Sequence, residues 1–237
     1  SSDGKIYVTP SNLFSTKHRK FESIYHSELL KLLLPHASHF PIISDYTDEG
    51  SANTCLLSPS VNQQGLHLFF YNKDNNNIKY KDGEFPKRQD KQCYDILRNS
   101  HKLTSNYILE IQQLEESTNS GVFHNDVIST ATESVFLCHE LTCSQDDLLQ
   151  IQNQYFDLYG EPLHYIEISN TLLPLPIAVQ SYLFNSQIFR LNSNEMVILV
   201  PERCLNFTES RNTIRYIIES KNPISKVYFT PLSESMN

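Results

Sequence analysis

A histidine and an aspartate two residues apart, His124 and Asp126, are the side chains of this sequence best suited to acid–base chemistry. They lie in the run GVFHNDV at residues 121–127, whose alternating apolar positions predict a β-strand over residues 122–129. Side chains two apart on a strand share one face, so we expect the imidazole and the carboxylate side by side. Such a pair suits a general acid/base beside a cation-binding carboxylate. A structural His–Asp pair at a strand end is the alternative that these residues leave open.

Two adjacent carboxylates, Asp48 and Glu49, precede Gly50 in a polar stretch of the sequence. Glycine permits tight backbone geometry, so a turn is expected here. Either carboxylate then faces a cleft, where it can act on a ligand, or caps the segment that follows. The local sequence does not choose between these two roles.

Basic side chains precede the first two predicted helices, with His18 and Arg19 before the first and Arg88 before the second. A positive charge is unfavourable beside the N-terminus of a helix, where the helix dipole is itself positive. Contact with an anionic group that backbone N–H groups also bind is one reason for basic residues at these positions. A solvated basic turn is the alternative in each case.

Cysteine usage indicates a reducing, cytoplasmic setting, because five cysteines spread over 237 residues do not form the dense framework of a secreted disulfide scaffold. Cys138, His139 and Cys143 lack the usual spacing of zinc ligands and have no second half elsewhere in the chain. We expect no metal, and a metal-binding module at these three residues is only a third hypothesis. All five thiols, including Cys55 near Glu49, are expected to be structural.

Charge and hydropathy exclude two classes of partner. The formal net charge of -8 at pH 7 would repel a phosphate backbone, so no nucleic-acid partner is expected. The most apolar run, residues 29–34, is far shorter than the ~20 residues that span a bilayer, and the first residues have no signal-peptide character. We expect a soluble protein with no membrane partner.

Apolar periodicity predicts alternating helices and strands throughout the chain. The predicted helices are residues 18–34, 89–103, a segment opening at Ser144, and 208–220. The predicted strands are residues 5–9, 66–71, 107–111, 122–129, 135–138, 164–168, 182–189, 196–200 and 227–229. The later part repeats the order strand, strand, helix, strand at a period of about 60 residues, which indicates a modular array in one domain.

Three further expectations concern surfaces and connections. The three-and-four spacing of apolar residues in the first helix predicts that they line one helical face. The polar run at residues 72–77 predicts a surface loop, and the prolines at residues 170–176 predict an extended link between modules.

Short motifs recur in a fixed order along essentially the whole chain: KHR at 17–19, DEGSAN at 48–53, FPKRQ at 85–89, VFHNDV at 122–127, VFLCH at 135–139, YLFNSQ at 182–187, NPIS at 222–225 and ESMN at 234–237. Taken together, they resemble the N-succinylarginine dihydrolases in order and nearly in spacing. The VFHNDV and YLFNSQ strings are the most specific of them.

The resemblance implies an α/β fold of the pentein type, a propeller of five ββαβ modules around a central active site. Residues 1–237 would then be a single, incomplete pentein-like domain of about three to four modules. The resemblance also implies hydrolysis of the small molecule succinylarginine to succinylornithine, ammonia and carbon dioxide in arginine catabolism, with no cofactor, and a homodimer.

Motif positions carry the family's site roles to particular residues. His124 would be the acid/base, Glu49 the catalytic carboxylate and Asp126 the group that holds guanidinium nitrogens. The residues that would hold the anionic parts of the substrate are His18, Arg19 and Arg88. Carboxylates suit a planar guanidinium cation because they accept paired N–H bonds from it.

The sequence also departs from the family pattern. The family's nucleophilic cysteine lies a few residues beyond the position of Asn237, in a Gly-rich stretch that residues 1–237 do not contain. We therefore expect this polypeptide to be inactive by itself. Thr54 and Leu56 replace a histidine and an arginine, and residues 60–62 replace a His-Tyr-Gly pattern. The alternative function is a non-catalytic pentein remnant that binds an arginine-like ligand or a partner protein.

Overall fold

The computed structural model describes residues 1, 3–13, 19, 21–60, 62–72, 88–193 and 195–231. No helix in these ranges is long and apolar enough to cross a membrane.

Eleven strands and six α-helices make up the described part of the chain. The strands are β1 Tyr7–Val8, β2 Ser38–His39, β3 Thr54–Leu57, β4 Leu66–Tyr71, β5 Ile108–Gln112, β6 Ser129–Thr132, β7 Val135–His139, β8 His164–Ile168, β9 Gln187–Asn192, β10 Glu195–Pro201 and β11 Ile224–Thr230. The helices are α1 Glu22–Leu33, α2 Cys93–Ser100, α3 Glu115–Asn119, α4 Gln145–Tyr159, α5 Leu175–Ser181 and α6 Thr208–Glu219.

Strands β3 to β11 form three sheets of three strands each, and all three have the same topology. In each sheet the first two strands are antiparallel, a helix follows, and the last strand pairs in parallel with the central one. We call these the first module (residues 54–112), the second module (129–168) and the third module (187–230). A fourth, shorter unit has β1 and β2 paired in parallel around α1. The predicted ββαβ order is therefore confirmed, and it extends into the first hundred residues.

Adjacent modules share their apolar cores across the central strand β7, all of whose residues are buried. Successive side chains of a strand point to opposite faces. Phe136 and Cys138 accordingly pack on the core of the first module, while Val135 and Leu137 pack on that of the third. A strand that is buried on both faces in this way joins the three modules into one packed array.

Helix α4 shows how local sequence sets the ends of an element. The Ser144 hydroxyl accepts the N–H of Asp147 at 3.1 Å and caps the first turn. Leu148 and Ile151 point into the core. Gly160 ends the helix with a φ of 72°, a left-handed conformation that costs glycine little.

The predicted strand over residues 122–129 is wrong, because only Ser129 belongs to strand β6. A 3-10 turn at Asn125–Val127 comes first, closed by a bond from the N–H of Ile128 to the carbonyl of Asn125. Asparagine and aspartate favour such turns because their side chains compete with ladder hydrogen bonding. The predicted strand at 182–189 is wrong in the same way: a 3-10 turn at Leu183–Asn185 comes before β9.

Two connections also differ from the sequence expectation. The predicted extended link at 170–176 leads into helix α5, where Pro176 lies in the first turn and therefore removes no helical hydrogen bond. Asn72, expected in a surface loop, is buried with 4% exposure, and residues 73–77 lie outside the described ranges. The pattern also did not indicate β2, β3 or α3.

The apolar face predicted for the first helix is present but does not pack inward. Helix α1 exposes large apolar side chains such as Ile24, Tyr25, Leu32 and Leu33, its N-cap residue Phe21 is exposed as well, and Ser23 is buried instead. Periodicity shows which side chains share a face of a helix. It does not show what packs against that face.

We expect Phe136→Ala to lower the free energy of unfolding by about 3 to 5 kcal/mol, since it leaves a cavity in a strand that joins two cores. Phe156→Ala is the matched control: Phe156 lies on α4 and is 54% exposed, so a change of about 0.5 kcal/mol or less is expected. Urea unfolding followed by circular dichroism measures both. Equal destabilisation by the two substitutions would contradict the shared core.

Candidate active site

A short 3-10 turn leads into the first strand of each complete module: Gly50–Asn53 before β3, Asn125–Val127 before β6 and Leu183–Asn185 before β9. Glu49 comes directly before the first of these turns, and His124 directly before the second. The first and second turns pack against each other, so the structural repeat brings these two residues together.

Glu49 and His124 are joined by a hydrogen bond in which the imidazole Nε2–H donates to carboxylate Oε2. The Glu49 side chain is fully shielded from solvent, whereas that of His124 retains 20% exposure. The other carboxylate oxygen of Glu49, Oε1, has no hydrogen-bond partner within the described part of the chain. A buried carboxylate oxygen without a partner is costly, so this atom is ready to accept a donor from a ligand.

Asp126 lies two residues further on and lines a cavity of about 450 Å³. The first strands of all three modules contribute to its wall, through Thr54, Ser129 and Gln187 among others. The Oδ1 atom of Asp126 is buried and has no partner within the described ranges. Burial raises the pKa of Asp126, and the neighbouring charge of His124 opposes that rise. His124 and Asp126 are therefore close enough to interact, although they do not lie on one strand as predicted.

Asp48 and Glu49 take different roles, which resolves the alternatives left open by the sequence. Asp48 accepts the N–H of Gly50 at 2.8 Å and so caps the turn, while Glu49 bonds to His124. Gly50 has a φ of 72°, and a Cβ there would lie 2.7 Å from the Cβ of Ser11. A glycine is thus needed directly after the carboxylate pair. Burial, and then the charge of Glu49, raise the pKa of Asp48 to about 6.

The predicted anion-binding residues do not all converge. The Arg88 guanidinium lies over the ring of Phe123, 4.0 Å from its centroid. Because Phe123 is the residue directly before His124, Arg88 lies close to the pair. Arg19 instead forms an ion pair with Glu22 at 3.0 Å in the first turn of α1. His18 lies outside the described residues.

The five thiols are poorly suited to nucleophilic attack. Cys55 lies in β3 and lines the same cavity as Asp126, but burial, together with the charge of Asp126, raises its pKa to about 12. Burial also raises the pKa values of the other four: Cys93, Cys138, Cys143 and Cys204. Neutral thiols are weak nucleophiles and poor metal ligands.

The metal hypothesis at residues 138–143 meets a second obstacle. Both imidazole nitrogens of His139 are engaged, since Nε2–H donates to the carbonyl of Leu173 at 2.9 Å and Nδ1 accepts the N–H of Leu141 at 3.1 Å. Over the ranges that the structure covers, no three His, Cys, Asp or Glu side chains converge as a metal site would require.

Buried amide side chains around the pair were not singled out from the sequence. The Gln89 Oε1 accepts the backbone N–H of Glu49 at 2.9 Å and the Nδ2–H of Asn53 at 3.2 Å. Both residues belong to the DEGSAN and FPKRQ motifs, but nothing in their spacing along the chain indicates that they touch. Only a three-dimensional contact reveals them.

Solved structures with the same fold include the N-terminal domain of ArgZ, described as an arginine dihydrolase from the ornithine–ammonia cycle in cyanobacteria. It aligns with a TM-score of 0.59 and 13% identity over 98% of this chain and 67% of that one. DDAH from Pseudomonas aeruginosa, in complex with citrulline, aligns with a TM-score of 0.52 and 13% identity over 98% and 67% of the two chains. At this identity the likeness shows the fold alone, which is that of the pentein-type α/β propellers.

A family model described as succinylarginine dihydrolase matches residues 1–237. N-succinylarginine dihydrolases of Shewanella pealeana and Legionella pneumophila are each 31% identical, over 99% and 100% of this chain. The chain belongs to the succinylarginine dihydrolase family. It spans about half the length of these curated relatives, 54% and 55% respectively.

The raised pKa of Asp48 predicts a pH-dependent stability. Asp48 binds its proton more tightly in the folded protein than in the unfolded chain. Its contribution to the free energy of unfolding is therefore fully present below the ordinary pKa of 3.8 and is lost as the pH rises through about 6. Asp48→Asn keeps the acceptor for Gly50 but cannot ionise. We expect the free energy of unfolding of the variant, relative to the parent, to rise by about 2 to 3 kcal/mol between pH 4 and pH 7.

Denaturant unfolding at a series of pH values measures this difference. Asp157→Asn, at an exposed aspartate of α4, is the control and should show no such trend. If the difference in the free energy of unfolding between Asp48→Asn and the parent did not change with pH, Asp48 would ionise normally in the folded protein.

Proposed function

We propose that the protein hydrolyses the guanidinium group of N-succinylarginine to succinylornithine, ammonia and carbon dioxide in arginine catabolism. The observation that carries the proposal is the buried Glu49–His124 pair beside Asp126, where each carboxylate has a buried oxygen without a hydrogen-bond partner among the described residues. Membership of the succinylarginine dihydrolase family and the names of the relatives support the same reaction.

The two unpartnered carboxylate oxygens suit a guanidinium ligand. A guanidinium is planar and cationic and presents N–H donors in a fixed geometry, which Oε1 of Glu49 and Oδ1 of Asp126 can accept. Burial strengthens these bonds because the local dielectric is low. We propose that the two carboxylates hold opposite parts of the guanidinium and orient its carbon for attack.

His124 supplies the proton chemistry in this proposal. Ammonia can leave the tetrahedral carbon only if its nitrogen is protonated, and an imidazolium can donate that proton. The same imidazole, once neutral, accepts a proton from an attacking water in the second half of the reaction. Glu49 keeps the ring oriented through the Nε2–H bond and stabilises its positive charge.

The anionic parts of the substrate call for cations near the pair. Arg88 lies near His124, because its guanidinium contacts the ring of Phe123, the preceding residue. We propose that its guanidinium pairs with a substrate carboxylate. For Arg19 and His18 the same role is inherited from the family resemblance.

The covalent step needs a thiolate, which in the mechanism implied by the family comes from a cysteine beyond residue 237. The five thiols of residues 1–237 have raised pKa values, so none of them supplies it at neutral pH. The same observation favours a second candidate function, in which this polypeptide binds an arginine-like ligand or a partner protein without turnover. A cytoplasmic location, in line with five free cysteines, and a homodimer complete the proposal.

Arg88→Ala should weaken binding of N-succinylarginine by roughly 1.5 to 3 kcal/mol, the range for a hydrogen bond to a charged group. Isothermal titration calorimetry on the polypeptide of residues 1–237 measures it. Arg215→Ala removes an exposed arginine of α6 and should leave the affinity unchanged. Equal affinities for the Arg88→Ala and parent proteins would remove Arg88 from the site.

Residues 1–237 assayed by themselves should bind N-succinylarginine and release no ammonia above background. Loss of a covalent nucleophile can cost on the order of a million-fold in turnover, which binding alone does not restore. An enzyme-coupled ammonia assay tests this, with a full-length relative as the positive control. Turnover that disappears in Cys55→Ser would show that Cys55 is the nucleophile.

A further inference from the structure

The loop that carries His124 is tied down by amide side chains from three separate elements. Gln113 Nε2–H donates to the carbonyl of Val122 at 2.9 Å. Asn72 Nδ2–H donates to the carbonyl of Phe123 at 3.4 Å. On the other side of the histidine, Asn53 Oδ1 accepts the N–H of residue 125 at 2.9 Å.

These amides reach the loop because of where they lie in the first module. Strands β4 and β5 are parallel, so their carboxyl ends lie at the same edge of the sheet. Asn72 is the residue directly after β4, and Gln113 is the residue directly after β5. Asn53 ends the 3-10 turn before β3. All three side chains are buried, with 4% exposure or less, so the loss of any of their amide hydrogen bonds would be costly in free energy.

A fourth buried amide joins this set to the carboxylate of the pair. Gln89 Oε1 accepts both the backbone N–H of Glu49 and the Nδ2–H of Asn53. Asn72 Oδ1 in turn accepts the backbone N–H groups of Arg88 and Gln89, each at 2.9 Å. A continuous path of side-chain amides, through Gln89 and Asn53, therefore connects the backbone of Glu49 to the backbone next to His124.

We propose that Asn53, Asn72 and Gln113 are positioning residues that hold the backbone on both sides of His124, with Gln89 linking them to Glu49. None of the four needs to touch substrate. The inference rests on the proposed function, in which His124 and Glu49 act together. Small displacements of a catalytic group are known to cost up to a hundredfold in rate. A network that prevents such displacements can therefore offset the free-energy cost of burying its polar atoms.

The test compares Asn53→Ala, Asn72→Ala and the near-isosteric Gln113→Met with Asn222→Ala. Asn222 is the matched control: in the third module its amide also donates to a backbone carbonyl and accepts a backbone N–H, both at 2.7 Å. The first readout is the proton NMR signal of the His124 Nε2–H, which its bond to Glu49 shields from exchange with water. The second is the affinity for N-succinylarginine, measured by calorimetry.

We expect the three site variants to lose or broaden the His124 signal and to bind N-succinylarginine on the order of tenfold more weakly. Asn222→Ala should alter thermal stability while keeping both the signal and the affinity. A purely structural role would lower stability in all four variants and leave the imidazole signal intact, which would overturn the proposal. If either alanine variant fails to fold, Gln113→Met decides, since it keeps the side-chain volume.

Failure of the proposed function is distinguishable from failure of this inference. A parent protein that shows the His124 signal but does not bind N-succinylarginine contradicts the proposed substrate. The NMR comparison still decides whether the amides position His124, because it needs no ligand.

Discussion

The hydrogen bond between Glu49 and His124 is the interaction on which the candidate site depends, since it joins residues 75 positions apart in the chain. It crosses from the segment before the first module to the segment before the second. A carboxylate removed from water is costly unless hydrogen bonds or ion pairs compensate it. Among the described residues, Glu49 meets this condition through one oxygen only, so the two modules must hold one relative arrangement.

Apolar packing between the modules supports that arrangement. Strand β7 is buried on both faces and contributes alternate side chains to two cores. The 3-10 turns that carry Glu49 and His124 lead directly into the first strands of their modules, so the rigidity of the sheets extends to the site. A Glu–His pair on turns held between packed sheets combines partial exposure of the histidine with little freedom of the backbone.

The electrostatics of the site favour a cationic ligand. Burial raises the pKa values of Asp48 and Asp126, which means that negative charge here is poorly compensated by the protein. A bound guanidinium would supply the missing positive charge and return these carboxylates toward their ionised form. Arg88 lies next to the pair, with its guanidinium over the ring of Phe123.

Local sequence determined many of the elements of this protein and pointed to candidate site residues. Strands β4 and β8 have the predicted bounds, α4 begins at its predicted cap, and the motifs named Glu49, His124 and Asp126. Tertiary structure alone decided that His124 pairs with Glu49, that Asp48 is a cap, and that the apolar face of α1 is exposed. The physical reason is range: periodicity and capping act between residues a few positions apart, whereas these contacts depend on how separate modules pack.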